Sequence, residues 1–209
     1  MASSITLPEQ LPVMPLSGAV LFPHALLPLY IFEARYRKML EHALRKHRMF
    51  CVALVKPICP DWHAAEDFFH LATAGLIRAC VERSDGTSNL VLQGLRRVRF
   101  ASFEREKPFP IASIETVESS DSPTVETEAL GAKVVELYGS LKHDHRQLPA
   151  KLDRYLSELR DLEMLADLMA STFVSDPLRR QRLLEERSLN QRLRFLIRYL
   201  RDEVGNAAA

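Results

Sequence analysis

The sequence has few glycines, and their positions exclude the common nucleotide-binding loops. No two of the seven glycines have the spacing of a P-loop or of the G-x-G-x-x-G dinucleotide motif. None of the seven histidines is followed by glutamate, so the H-E-x-x-H motif is missing, and there is no G-x-S-x-G nucleophile elbow. These absences predict a protein that is not an enzyme and that needs no cofactor.

Cysteines and long apolar runs are also scarce. The three cysteines are an odd number, and Cys51 and Cys80 lie in apolar or strand-like segments, which is typical of reduced core thiols and not of a disulfide framework. No stretch approaches the roughly 20 apolar residues of a membrane span. The N-terminus, MASSITLPEQ, lacks the basic-then-apolar layout of a signal peptide. We therefore expect a cytoplasmic protein with no membrane partner.

Neither sign of charge dominates. The net charge is +1, whereas nucleic-acid-binding domains usually carry a strongly basic surface that neutralises phosphates. Hydrophobic residues make up 47% of the chain and charged residues 26%, which is ordinary for a globular protein. The charge balance speaks against a nucleic-acid-binding role without excluding it.

Two groups of polar side chains resemble sites, but neither has a convincing pattern. Cys59, His63, His70 and Cys80 offer the thiolate and imidazole ligands that zinc prefers, yet their spacing is irregular and a predicted strand separates them. The His143–His145 segment holds two imidazoles beside a carboxylate, but no nucleophile accompanies it. We interpret the first group as loop histidines and buried thiols, and the second as a solvated turn, and predict no metal or catalytic site.

The first part of the chain has the pattern of short β-strands around one helix. Prolines 23 and 28 hold the backbone extended, and from Glu33 onwards apolar residues recur with the period of a helix that has one buried stripe. A continuous apolar run at residues 50–55 predicts a buried strand, and a turn is expected at residues 84–87. Two successive strands are predicted next, the first holding Leu90 and Leu92 and the second Val98 and Phe100.

The remainder of the chain is predicted to be helical. A polar run at residues 118–123 is typical of a linker, so we predict a β-rich subdomain over 1–118 and a helical bundle over 119–209. Leucines recur at helical spacing in several segments. Asp176-Pro177 and Ser188-x-x-Gln191 have the pattern of helix N-termini. The apolar residues do not form long heptad repeats and the predicted helices are short, which favours a compact bundle over a coiled coil.

Three motifs in the correct order resemble the N-terminal domain of Lon protease. The first is LFP followed by PLYIFEARY, the second is a turn followed by LQGLRRVRF, and the third is QRLLE followed by a segment ending in RL. The resemblance extends from about Leu11 to about Glu203. It departs at Ala72-Thr73, where the family usually has Gly-Thr, and a glycine stands instead at position 75. The resemblance implies an α+β fold, a PUA-like β pseudobarrel with one inserted helix, followed by a C-terminal α-helical bundle.

The resemblance also implies a function. Lon protease carries an ATPase and a Ser-Lys peptidase after this domain, and neither occurs in this sequence, so we expect a stand-alone, non-catalytic substrate-recognition module. Its partners would be polypeptide clients, bound through exposed apolar segments, or another protein. The alternative is a PUA-like RNA-binding module, and a third hypothesis is a hydrolase with an unrecognised site.

Candidate binding residues fall into an aromatic set and an arginine set. Aromatic anchors supply much of the energy of protein interfaces, which suggests a recognition surface formed by Phe22, Pro23, Tyr30, Phe32 and Trp62. Core packing explains the first four equally well.

The arginine set consists of Arg96, Arg97 and Arg99, with Arg35 considered separately. Arg97 and Arg99 share one side of a strand by its two-residue period and could form a phosphate-binding face on the barrel. Alternatively, these arginines face water or pair with carboxylates such as Glu82. Arg35 lies on the polar side of the first helix or ties that helix to the barrel.

Overall fold

The computed structural model describes residues 5–58, 62–105, 107–120, 124–144 and 150–207. They form two compact units. The first unit comprises Met1–Leu21 and Leu26–Val117, and the second comprises Phe22–Ala25 and Glu118–Ala209. The short segment Phe22–Ala25 therefore groups with the helical unit, although it precedes most of the strands in sequence.

The first unit is built from strands and one long helix, as the predicted α+β fold requires. Its elements are β1 (Gln10–Leu16), β2 (Leu26–Ile31), α1 (Ala34–Arg45), β3 (Met49–Leu54), β4 (Leu71–Glu82), β5 (Ser88–Arg105) and β6 (Ile111–Thr116).

Five of the strands form a closed ring. The sheet order is β2-β5-β4-β3-β1-β6, and β6 also pairs with β5. Only the β1–β3 pairing is parallel among the strands described. β5 is long enough to pair with β4 along one edge, and with β2 and then β6 along the other. The barrel thus consists of β1, β3, β4, β5 and β6, with β2 added outside the ring.

The two strands predicted between residues 88 and 105 are in fact one. Gly94 does not end the strand, because it pairs with Gly75, and the next pair is Arg96 with Ala74. Leu95 is therefore an extra residue in a β-bulge, which shifts the side-chain alternation by one position. Leu90 and Leu92 consequently face one core and Val98 and Phe100 the other. The shift in phase explains why the sequence pattern looked like two strands.

Two apolar cores lie on opposite sides of β3, all six residues of which are buried. One core contains Cys51, Phe68, Val98 and Phe100. The other contains residues of β3, β4 and β5 packed against the buried stripe of α1, which is Tyr36, Met39, Leu40 and Ala43. The helical stripe predicted from the sequence is confirmed, and it covers one face of the sheet.

The second unit is helical, as predicted. Its helices are α2 (Val125–Asp144), α3 (Ala150–Glu158), α4 (Leu162–Phe173), α5 (Pro177–Glu185) and α6 (Leu189–Ala207). Asp176 caps α5 by accepting a hydrogen bond from the Arg179 N–H at 2.8 Å, and Pro177 occupies the first turn. The Ser188 hydroxyl accepts from the Gln191 N–H at 3.4 Å at the start of α6. Both predicted helix starts are confirmed. In the portion of the chain described, no helix is sufficiently long and apolar to span a membrane.

Candidate functional site

The exposed side of β2, β4 and β5 is largely apolar. α1 packs on one side of these strands, and the opposite side carries alternate residues of each strand. In one row across the three strands, Asn89 of β5 pairs with Tyr30 of β2 and with Val81 of β4. In the next row, Val91 of β5 pairs with Pro28 and with Ala79. We call this surface the outer face and define it as Leu26, Pro28, Tyr30, Phe32, Ala79, Val81, Asn89 and Val91.

Four large apolar side chains of the outer face are open to solvent. The exposed fractions are 61% for Leu26, 49% for Tyr30, 58% for Phe32 and 65% for Val81. The Tyr30 and Phe32 rings stack with their centroids 5.7 Å apart, and the Arg83 guanidinium lies 5.6 Å from the centre of the Tyr30 ring. Clustered exposed apolar groups with aromatic and arginine members are characteristic of protein-binding surfaces.

The structure brings together two further predicted residues, Arg35 and Trp62. The Arg35 guanidinium carbon lies 4.6 Å from the centre of the Trp62 ring and 4.7 Å from that of the Tyr36 ring. Its Nε donates to the Glu33 carboxylate at 2.9 Å. Arg35 belongs to α1 and Trp62 to the loop after β3, so this stack fixes the loop against the helix. The sequence left open whether Trp62 is exposed or packed in the core, and the structure places it between the two, partly buried.

A chain of hydrogen bonds holds the same residues. Trp62 Nε1 donates to the Tyr36 hydroxyl at 3.0 Å, and that hydroxyl donates to the Pro15 carbonyl at 2.9 Å. Burial raises the pKa of Tyr36, although the Trp62 hydrogen bond and the Arg35 charge oppose this rise. These residues border an open cleft of about 490 Å³, the Arg35–Trp62 cleft, lined by Pro15, Leu16, Ser17, Glu33, Arg35, Tyr36, Trp62 and His63.

The other predicted residues do not join these surfaces. Phe22 and Pro23 are buried, so they cannot serve as exposed anchors, and they belong to the helical unit. Arg97 is only 8% exposed, whereas Arg96 and Arg99 are exposed. The three arginines therefore do not form one exposed phosphate-binding face.

The described residues contain no group of three histidine, cysteine or acidic side chains that could hold a metal ion. Cys59 lies outside the described residues, as do His145 and the side chains of His143 and Asp144. Burial raises the pKa of the Cys51 thiol, which keeps it protonated and unreactive.

Comparison with known proteins defines the family. Residues 10–202 match the family described as the ATP-dependent protease La (LON) substrate-binding domain. The chain belongs to this family. The match includes every strand and both surfaces described above, and it confirms the resemblance that the three sequence motifs had indicated.

Relatives of the chain are much longer than it is. It is 27% identical over 201 residues to the Lon protease of Desulfosudis oleivorans, covering 95% of this chain and 24% of that protein. It is 29% identical over 197 residues to Lon protease 2 of Herpetosiphon aurantiacus, covering 93% of this chain and 24% of that protein. The chain thus spans about a quarter of the length of these Lon relatives.

Solved structures of two family members have the same fold. The N-terminal domain of the Mycobacterium avium complex Lon protease superimposes with a TM-score of 0.75 at 18% identity, covering 92% of this chain and 98% of that one. A Lon N-terminal domain protein from Xanthomonas campestris gives 0.64 at 23% identity, covering 91% and 98%. The predicted barrel with an inserted helix and a helical C-terminal region is therefore confirmed as the fold of Lon N-terminal domains.

Sequence reasoning missed three residues of the candidate surfaces. Leu26 and Val81 have the pattern of ordinary strand residues, and only the pairing of β2, β5 and β4 brings them onto one exposed face. Tyr36 lies on the buried stripe of α1, and its hydroxyl also accepts the hydrogen bond that holds Trp62. The signal available in the sequence was that β2 has apolar residues on both of its sides, which indicates an exposed apolar surface.

We expect Arg35→Met to disturb the Arg35–Trp62 cleft and to lower the free energy of unfolding by about 1–3 kcal/mol. The substitution removes the ion pair with Glu33 and both ring contacts, each worth about 0.5–1 kcal/mol at exposed sites. Trp62 is the only tryptophan, so the tryptophan fluorescence reports on the surroundings of this one side chain. A changed emission spectrum is expected for Arg35→Met and none for Lys38→Met, an exposed position on the same helix. An unchanged spectrum in Arg35→Met would contradict the stacked geometry.

Proposed function

We propose that this chain is a non-catalytic recognition module that binds exposed apolar segments of polypeptides on its outer face. The single observation that carries the proposal is the clustering of Leu26, Tyr30, Phe32 and Val81, all at least 49% exposed, on one side of one sheet. Covering these side chains with apolar groups of a client removes them from water, at about 25 cal/mol per Å² of apolar surface. Membership of a family of protease substrate-binding domains supports a polypeptide ligand.

The proposal does not extend to proteolysis. The sequence contains no P-loop and no G-x-S-x-G nucleophile elbow, and the family match concerns the substrate-binding domain.

RNA binding has less support. The RNA-binding hypothesis depends on three arginines of one strand. Of these, Arg97 is buried, and Arg96 already has an interaction partner within the chain. Salt-dependent retention of RNA that is lost in Arg96→Gln/Arg99→Gln would nevertheless favour RNA over peptide.

We expect the double variant Tyr30→Ser/Phe32→Ser to bind apolar client peptides at least about tenfold more weakly, because it removes two aromatic anchors from the outer face. Fluorescence anisotropy with a labelled, unfolded model protein and with short apolar peptides measures the dissociation constants. Tyr155→Ser is the matched control, because Tyr155 is 47% exposed and lies on α3 in the helical unit.

Two outcomes of this experiment would overturn the proposal. The absence of any binding by the unmodified chain up to high micromolar concentration would contradict client recognition itself. Equal affinity in the unmodified chain and in the double variant would show that the outer face is not the binding surface.

A further inference from the structure

β2 is the edge strand of this sheet. β1, β3, β4, β5 and β6 each pair with at least two other strands, whereas β2 pairs with β5 alone in the part of the chain that the structure describes. The inter-element backbone hydrogen bonds found among these residues include none to Leu26–Ile31. One side of β2 therefore carries main-chain groups available to another chain.

Pro28 indicates which residues face the open edge. Proline has no N–H, and in edge strands it occupies positions whose N–H side faces solvent. In an antiparallel pair, the N–H and C=O of one residue point to the same side, and those of the next residue point to the other. Leu26 and Tyr30 therefore share the orientation of Pro28, while Leu27, Leu29 and Ile31 bond to β5.

The open edge and the outer face involve the same residues. Leu26, Pro28 and Tyr30 direct their side chains to the outer face, as their alternating exposure shows. An extended chain lying along β2 would bond to the backbone of these residues and would place every second side chain over the same exposed apolar surface. Helical or compact ligands could use only one of the two features.

We propose that a client polypeptide binds as an added strand along the free edge of β2. This inference rests on the proposed function and specifies how the client is held. Main-chain hydrogen bonds are independent of sequence, while alternate side chains contact the outer face, so the site accepts many sequences that share an apolar alternation. Pro28 removes one donor from the edge, which limits pairing between copies of the chain itself.

N-methylated peptides test the added strand directly. The probe is a fluorescein-labelled nine-residue peptide in which valine and tyrosine alternate with lysine and threonine. Two versions carry three N-methyl groups each, one on odd positions and one on even positions. A one-residue slip would turn the apolar side chains away from the outer face, so the register is fixed. We expect one version to bind at least about tenfold more weakly and the other to match the unmodified peptide, because only alternate amides face β2.

A second measurement adds a donor to the protein. Pro28→Ala supplies the missing N–H at the open edge and is expected to strengthen binding of the unmodified peptide about threefold, the effect of one modest hydrogen bond. Tyr30→Pro removes a donor from the same edge and is expected to bind more weakly than Tyr30→Ser, which loses the ring alone. Circular dichroism of each variant verifies folding.

The outcomes separate this inference from the proposed function. Equal affinity of the two N-methylated versions, whether both match the unmodified peptide or both are weakened alike, would overturn the added strand and leave client binding intact. No binding of the unmodified peptide or of unfolded proteins would overturn the proposed function itself. A dimer in sedimentation measurements that the peptide fails to dissociate would assign the edge to a second copy and would likewise overturn the inference.

Discussion

Replacing Arg192 with methionine is expected to lower the free energy of unfolding by about 3–5 kcal/mol, because it leaves a buried carboxylate without its cation. Arg192 lies on α6 and is 1% exposed, and its Nη1 lies 3.7 Å from an oxygen of Asp167, which is also buried. The second carboxylate near this arginine, Glu163, also lies 3.7 Å away but is about half exposed. Urea denaturation followed by far-ultraviolet circular dichroism measures the loss.

Arg192 also satisfies backbone groups at a helix end. Its Nε and Nη2 donate to the Glu186 carbonyl, at the C-terminus of α5, at 3.1 and 2.9 Å, and Nη2 donates to the Ser119 hydroxyl at 3.0 Å. Methionine can fill the volume but cannot donate these bonds. A buried acceptor left without its donor costs about 1–3 kcal/mol, and this cost is part of the expected loss.

Two further variants identify the cause of the Arg192 effect. Arg194→Met, on the same helix, removes an exposed pair with Glu126 and is expected to cost less than about 1 kcal/mol. The double variant Arg192→Met/Asp167→Leu is expected to recover part of the loss, because replacing a buried ion pair by apolar groups of similar size is often neutral. If Arg192→Met unfolds at the same urea concentration as the unmodified chain, the buried pair makes no net contribution.

Elements that depend on local sequence could be predicted well. The buried stripe of α1, the cap at Asp176 and the proline that follows it are encoded within a few neighbouring residues. The motif around Arg192 was recognised as part of the family resemblance, but its role was not, because the residues that contact it lie on three other segments. Local patterns indicate that a helix exists, whereas the partners of a buried charge depend on packing.

The candidate site was harder to predict for the same reason. Aromatic residues of the first motif were considered together, yet Phe22 is fully buried and Phe32 is 58% exposed. Both belong to apolar runs of the sequence, so only tertiary packing decides which of these side chains face water. Trp62 and Arg35 were both proposed from the sequence, but no local signal indicated that they stack on each other.

The second large effect is expected at Phe68, which lies in the barrel core. We expect Phe68→Ala to lower the free energy of unfolding by about 3–5 kcal/mol, because it removes a fully buried ring and leaves a cavity. Phe68 is 0% exposed. Four other ring centres surround that of Phe68, at 6.1 Å for Trp62, 6.3 Å for His70, 6.2 Å for Phe100 and 5.6 Å for Phe103. Phe68→Leu retains most of the volume and is expected to lose less.

The Phe68→Ala variant also distinguishes between the Arg35–Trp62 cleft and the outer face as the client-binding site. The Phe68 ring supports the Trp62 ring edge to face, at an interplanar angle of 87°, so its loss is expected to shift Trp62 fluorescence in the folded protein. The residues of the outer face do not belong to the Phe68 core. Client affinity is measured in buffer without urea, in which the variant is folded. It should remain within about twofold of the affinity of the unmodified chain, because the anchors of the outer face are retained. A larger loss of affinity in this variant, together with full affinity in Tyr30→Ser/Phe32→Ser, would move the client site from the outer face to the Arg35–Trp62 cleft.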